Sequence, residues 1–202
     1  MVVPPLIPKI ISSYETKKLL YLMENCLCEI YIPNGLNGTG FFCKISNKAN
    51  SKPYFVMMTN HHVLHEGFLK YEERIDIKVG GQYKRININD NRKIYTNKEN
   101  DITIIEIIPS KDEINNFMEL HDELFREDEE LFRKEEELER YFICKSIYIL
   151  HSMRDNGVSF GNIKKISEGE IIHTCSVEKG SSGAPILDYN GKVIGIHFGE
   201  NL

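Results

Sequence analysis

The 202-residue chain is predicted to be all-β, built as two small barrels, with helix confined to the N-terminus and to the connection between the barrels. Three observations predict this. Short apolar or alternating segments, separated by Gly, Asn and Asp turns, fill residues 26–110. The same pattern returns over 141–202. Between them, residues 111–140 switch to a strongly charged stretch with helical spacing, which divides the β-rich chain into two halves.

The elements follow in order. Residues 1–25 form an N-terminal helical extension: in SSYETKKLLYLMEN, Ser12 and Glu15 stand at capping-box spacing, and Leu19, Leu20 and Met23 make an apolar stripe. CLCEIYIPNGLNGTGFFCKI then reads as two strands joined by an Asn and Gly turn, and PYFVMMTN has the length of a buried strand. RIDIKVGG, YKRININD and DITIIEIIP continue the first barrel, assigned to 26–110.

In the connector, ELFREDE is followed seven residues later by ELFRKEE, which puts Leu124, Leu131 and Leu138 on one helical face with Phe125 and Phe132 beside them. Its thirteen acidic and five basic residues make it a solvated helix covering a connection, with a docking surface for a basic partner as the alternative. Nothing in it suggests catalysis. FICKSIYIL, GVSFGNIKKI, GEIIHTCS, GAPILDY and KVIGIHFG supply the second barrel, 141–202.

Composition narrows the function. With 41% apolar and 27% charged residues the chain can bury a sizeable core, and a net charge of -5 gives no general reason to expect nucleic acid or an anionic membrane as partner. The start, MVVPPLIPKIISSYE, has prolines where a signal peptide needs a helix-forming run, and no apolar run approaches the ~20 residues of a membrane span. Cys26, Cys28, Cys43, Cys144 and Cys175 form an odd set without CxxC spacing, which points to free thiols in a reducing cytoplasm and to no metal site. No cofactor is expected.

EKGSSGAPIL, residues 178–187, sets a serine in a glycine-rich turn ahead of an apolar strand. Such turns arise for backbone reasons alone, so Ser182 is a nucleophile only if the chain also supplies a base, an acid to orient it and donors for an oxyanion. MMTNHHVL offers adjacent His61 and His62, which cannot both point into one cleft. In KENDITIIEI, Asp101 stands at the mouth of an apolar strand, a costly place for an acid without a partner. Cys175 is the weaker nucleophile, because no glycine-rich turn surrounds it.

These segments resemble the chymotrypsin-like serine peptidases, nearest in motif to Deg-type and glutamyl endopeptidase members. TNHHV resembles their T-N-x-H-V, which implies His62 as the base. DITII resembles their D-(I/L)-A-(I/L)-(I/L), which implies Asp101 as the orienting acid, and GSSGAP resembles G-(D/N/S)-S-G-(G/S)-P, which implies Ser182 as the nucleophile. GTGFF at 38–42 and the final KVIGIHFG are similar to two further strands of these families. The order His, Asp, Ser is that of chymotrypsin, not of subtilisin or the α/β-hydrolases. The resemblance implies a two-barrel chymotrypsin-like fold, with the N–H groups of Gly180 and Ser182 as the oxyanion hole and no metal.

Substrate contacts follow from the same resemblance. Ser176 stands six before the nucleophile, where trypsins carry Asp, so an Arg or Lys preference loses its support. IGIHFG resembles the I-G-I-H-W-G of staphylococcal-type glutamyl endopeptidases, which makes His197 a candidate reader of an acidic P1 side chain, with Lys179 at the rim and Gly199 flanking the substrate. The threonine that those enzymes place five before the nucleophile is Val177 here. Ser181 stands where secreted trypsins have the acid that receives a new N-terminus, so activation by that route is not expected. Family members normally continue past the V-I-G-I-x-x-G strand, so either the chain is a fragment of a longer protein, the favoured expectation, with a truncated second barrel and room for further domains, or the N-terminal segment fills the gap. The expectation is a cytoplasmic serine endopeptidase acting on protein or peptide substrates; the alternative is a catalytically silent binding module of the same fold.

Overall fold

The structure, a computed structural model, describes residues 10–33, 37–46, 52–88, 91–121, 141–143, 145–152, 156–167 and 169–199. Helix α1, Ser13–Cys26, is closed at its start by the capping box: Glu15 N–H donates to Ser12 Oγ at 3.2 Å, and Ser12 N–H donates to Glu15 Oε2 at 2.7 Å. Seven strands then follow: β1 Leu27–Tyr31, β2 Gly38–Ile45, β3 Tyr54–Thr59, β4 Arg74–Val79, β5 Gln82–Asn87, β6 Ile94–Asn97 and β7 Ile102–Glu106. They pair antiparallel in the order β5-β4-β1-β2-β3-β7-β6. A short helix α2, Glu66–Tyr71, interrupts them, capped by His65 through its ring nitrogen. Too short for a period to show in sequence, it falls where only a loop is legible.

The second sheet contains β9 Ser146–His151, β10 Gly157–Ser167, β11 Glu170–His173, β12 Pro185–Leu187 and β13 Val193–Ile196, in the order β11-β10-β9-β12-β13. Mostly β, with two curled sheets and few helices, this is the two-barrel chymotrypsin-like fold.

The connector departs from expectation at its start. Instead of helix from 111, a single turn α3, Pro109–Asp112, ends at Glu113 in the left-handed region, and the chain then runs extended. Ile114, Met118 and Leu120 are buried along it, and β8, Met118–Glu119, adds parallel to β2 before Leu120 bridges to Val193 of the second sheet. Apolar residues at every second position there serve a strand, and burial outweighs the helical propensity of the flanking acids. The heptad-spaced leucines and phenylalanines at 124–138 lie outside the described residues, as does Cys144.

Three cores explain the long apolar runs. Phe42, Met57, Ile75, Ile77, Ile86 and Ile105 fill the first sheet. Ile147, Ile149, Ile163, Ile186 and Ile194 fill the second. The seam between the sheets is packed by Phe41 and Cys43 from β2, Tyr148 and Leu150 from β9, and Leu187 and Val193. Because successive strand residues face opposite ways, β9 sends Ile147 and Ile149 into its own sheet's core and Tyr148 and Leu150 into the seam, so it reads as a continuous apolar run.

Helix α1 is part of this seam, not an appendage: Leu19, Leu22, Met23 and Cys26 are all buried in it. The seam is what holds the two sheets in one relation, and the candidate residues lie along it. Among the described residues no helix is long and apolar enough to cross a membrane.

Candidate active site

The histidine pair divides as its geometry requires. At the end of β3 the chain turns over residues 61–63, and the two rings leave in different directions. His61 is buried and pairs with Glu66 at the start of α2. His62 is half exposed, and its Nδ1 lies 2.7 Å from Asp101 Oδ2. The other carboxylate oxygen accepts from the His62 backbone N–H at 2.9 Å. With Nδ1–H committed to the carboxylate, the imidazole presents a bare Nε2, the form a general base needs.

Asp101 itself is held in the left-handed region at φ 47°, a conformation that Asp tolerates better than most residues. It sits at the last position before β7, and Asn60 Nδ2 donates to its carbonyl at 2.9 Å. The costly acid seen in sequence thus has its partner.

Ser182 reaches this place from the other sheet through a glycine turn. Thr39 N–H on β2 donates to Ser182 O at 2.9 Å, Thr39 Oγ1 donates to Gly180 O at 2.9 Å, and Thr59 Oγ1 donates to Thr39 O at 2.8 Å. Gly183, at φ 87°, packs so closely that a Cβ there would lie 1.9 Å from Thr39 O and 2.5 Å from Thr59 Oγ1. The turn is therefore locked against β2, which Thr59 ties to the end of β3, the strand that leads to His62. No hydrogen bond among the described residues joins Ser182 Oγ to the imidazole. Ser182 is hydrogen-bonded to Thr39 and Thr39 to Thr59, three residues before His62; substrate-free sites of this kind often leave a serine–imidazole bond unformed.

The same turn presents two donors. Ser181, Gly183 and Ala184 N–H are used by Glu178 O, His197 O and Ser181 O, whereas Gly180 and Ser182 N–H have no acceptor among the described residues. These two N–H groups, one on each side of Ser181, are the donors the turn leaves unspent.

Beyond the turn, His197 is buried; its N–H donates to Ala184 O at 2.8 Å and its O accepts from Gly183, so the strand end after β13 is stitched to the Ser182 turn. Its ring lies 5.6 Å from that of His173. Burial first, then the neighbouring His173 and His151, pull the His197 imidazole down to about 4. Burial alone also lowers His173, whose Nδ1 is buried without a partner. Ser176 and Lys179 are exposed on the segment leading to the turn, and Gly199 is exposed beyond His197. No group of three or more His, Cys, Asp and Glu able to hold a metal occurs among the described residues. Cys175 is buried, and burial pushes its thiol up to about 12, which makes it a poor nucleophile.

A pH dependence follows. The unfolded chain protonates His197 near the ordinary 6.5 and the folded chain only near 4, so stability is full above about pH 6.5 and is lost as the pH falls toward 4. By pH 5 this amounts to at most about 2 kcal/mol. Urea unfolding at pH 7.5 and pH 5 should show a smaller acid loss in His197→Gln than in the wild type; identical losses would refute the assignment.

Sequence reasoning missed the residues that hold these groups. Thr39, Thr59 and Asn60 lie within the quoted motifs, but nothing in the order of residues tells that Thr39 reaches across to Gly180, Thr59 to Thr39 O and Asn60 to Asp101 O. His151 and Ser159 are isolated in sequence, 31 and 23 positions from Ser182, and no motif marks them.

Residues 38–196 match the family model described as a trypsin-like peptidase domain. Among solved structures, the chain is similar to Deg5 (TM-score 0.61, 17% identity, covering 95% of this chain and 88% of that one). It is similar to the inactive form of the Rv3671c protease (TM-score 0.58, 16% identity, 96% and 86%). A third neighbour is the serine endoprotease from Yersinia pestis (TM-score 0.57, 15% identity, 94% of this chain), of whose length this chain spans 58%.

Proposed function

Since the chain belongs to the trypsin-like peptidase domain family and is a serine endopeptidase, we propose that Ser182, His62 and Asp101 are its catalytic triad and that it favours an acidic residue at P1. The observation that carries the triad is the two-point grip of Asp101 on His62, ring and backbone together, at the strand ends where the Ser182 turn is locked.

In this reading Ser182 Oγ attacks the scissile carbonyl while His62 Nε2 takes its proton. The carbonyl oxygen becomes an oxyanion received by Gly180 and Ser182 N–H. Collapse of the tetrahedral adduct breaks the C–N bond, the proton on Nε2 passes to the leaving amine, and an acyl-enzyme remains on Ser182. Water activated by His62 then releases the acid product and restores the serine. A fluorophosphonate probe tests this: covalent labelling of the folded wild type that disappears in Ser182→Ala is the expected result. A folded wild type that takes no label sinks it and favours the silent binding module.

The acidic P1 preference is supported by His197. A buried imidazole held neutral, next to His173 with an orphaned nitrogen, gains most from an incoming carboxylate, which supplies the acceptor and negative charge the cluster lacks. Exposed Lys179 at the rim adds attraction for the same side chain. Comparing kcat/KM for peptides that differ only in P1-Glu or P1-Leu decides it, with the Leu peptide cleaved faster as the overturning outcome. Cytoplasmic location is part of the same proposal, supported by Cys26, Cys28, Cys43 and Cys175 all being free thiols.

A further inference from the structure

We propose that His151, at the end of β9, is a positioning residue that holds the oxyanion turn in register through the hydroxyl of Ser181, a role that rests on Ser182 being the nucleophile. Ser181 is 1% exposed and lies between the two residues whose N–H groups are unspent. Rotation of its peptide units would re-aim the Ser182 N–H directly and turn the Gly180 carbonyl, displacing Gly180 and its N–H with it. Its side chain is therefore placed where a small displacement has the largest effect on an oxyanion.

Five polar groups form a single line behind that turn. Glu178 N–H donates to Ser181 Oγ at 3.1 Å, and Ser181 Oγ lies 2.7 Å from His151 Nδ1. On the far side of the ring, His151 Nε2 meets Ser159 Oγ on β10, which donates in turn to Ser176 O. The donors and acceptors have one consistent assignment. Ser159 spends its proton on Ser176 O, so it accepts from His151 Nε2–H; Nδ1 is then bare and accepts from Ser181 O–H, whose oxygen accepts from Glu178. Every group is satisfied with His151 neutral, and burial lowers its affinity for a proton in spite of Glu178 nearby.

The chemistry explains why a serine suffices at 181. A carboxylate buried there would need a cation beside it, whereas a hydroxyl needs only a neutral acceptor and a donor, which His151 and Glu178 N–H provide. The line also runs into the backbone of Ser176, on the segment leading to the nucleophile. His151 thus ties two β9–β10 side chains to the loop that presents the substrate-facing donors. Because the oxyanion exists only after attack, the strut acts on kcat more than on KM.

The test is steady-state kinetics of the full chain on a chromogenic peptide that the wild type cleaves, with thermal unfolding alongside. His151→Ala and Ser181→Ala should each lower kcat about 10- to 100-fold, less than the full loss of an oxyanion donor, with KM changed less than about threefold. The double variant should be no slower than the slower single, because both remove one contact. His151→Asn, whose side-chain oxygen can accept from Ser181 in place of Nδ1, should regain most of kcat. Wild-type kcat in folded His151→Ala or Ser181→Ala, losses that multiply in the double variant, or His151→Asn as slow as His151→Ala would each overturn the proposal. If His151→Ala does not fold, Ser181→Ala and His151→Asn decide alone: wild-type kcat in the first, or wild-type kcat lost in a folded second, overturns it. Failure of the wild type to label at Ser182 defeats the triad reading, whereas a labelled wild type with unaffected variants defeats the strut alone.

Discussion

Asp101→Asn is expected to lower kcat by about 10⁴-fold while leaving KM and the unfolding temperature nearly unchanged. The reason lies in the two-point grip. One carboxylate oxygen accepts from His62 N–H and the other from His62 Nδ1–H. An asparagine has only one acceptor. If its oxygen stays with the backbone N–H, its NH₂ group faces Nδ1 and can only donate, which drives the ring proton to Nε2. The base then points a proton, not a lone pair, at Ser182. Single-turnover acylation of the variant measures this directly; a loss below about tenfold would mean that Asp101 does not set the tautomer.

Gly183→Ala is expected to abolish labelling by a fluorophosphonate and to destabilise the fold by about 3 kcal/mol or more, through left-handed strain together with a backbone clash. The new methyl carbon would sit 1.9 Å from Thr39 O, so strand and turn must separate by more than an ångström to admit it. That separation breaks the Thr39 to Ser182 and Thr39 to Gly180 bonds, which hold the proposed nucleophile and one proposed oxyanion donor. A displacement of about 1 Å at a reacting group costs on the order of 10² in rate, and here the nucleophile and the donor move together, so kcat/KM should fall by about 10³ or more. Gly169→Ala is the matched control: it shares a positive φ, 79°, but meets nothing within 4 Å. It should lose only about 1–2 kcal/mol and keep full activity. Equal behaviour of the two variants would show that contact with Thr39 is irrelevant.

Much of this architecture is legible in the residues because strands, glycine turns and capping groups are local devices. Ser12 and Glu15 announce α1 three residues apart, and the alternation of RIDIKV announces β4 with its buried Ile75, Ile77 and Val79. The connector shows where local reasoning gives way. The acids flanking Met118 and Leu120 favour helix, yet those residues join β2 and Val193 because both sheets offer apolar surface there. Sequence holds no record of that surface until the chain has folded.

What the order of residues determined by itself is where the groups proposed for the chemistry stand: a histidine after TNH, an acid before ITII, a serine inside GSSGAP, each at the edge of an apolar strand. Their types and succession are chemical facts that need no third dimension. Only the tertiary structure decided that Asp101 grips both the ring and the backbone of His62, that Thr39, braced by Thr59, clamps the Ser182 turn, that α1 fills the seam, and that His151 lies behind Ser181. Those are contacts across gaps of 20 to 39 residues and more, where a difference of an ångström separates a bond from none. Sequence spacing carries no such distance, because loop closure lets many residues meet and only packing selects which do.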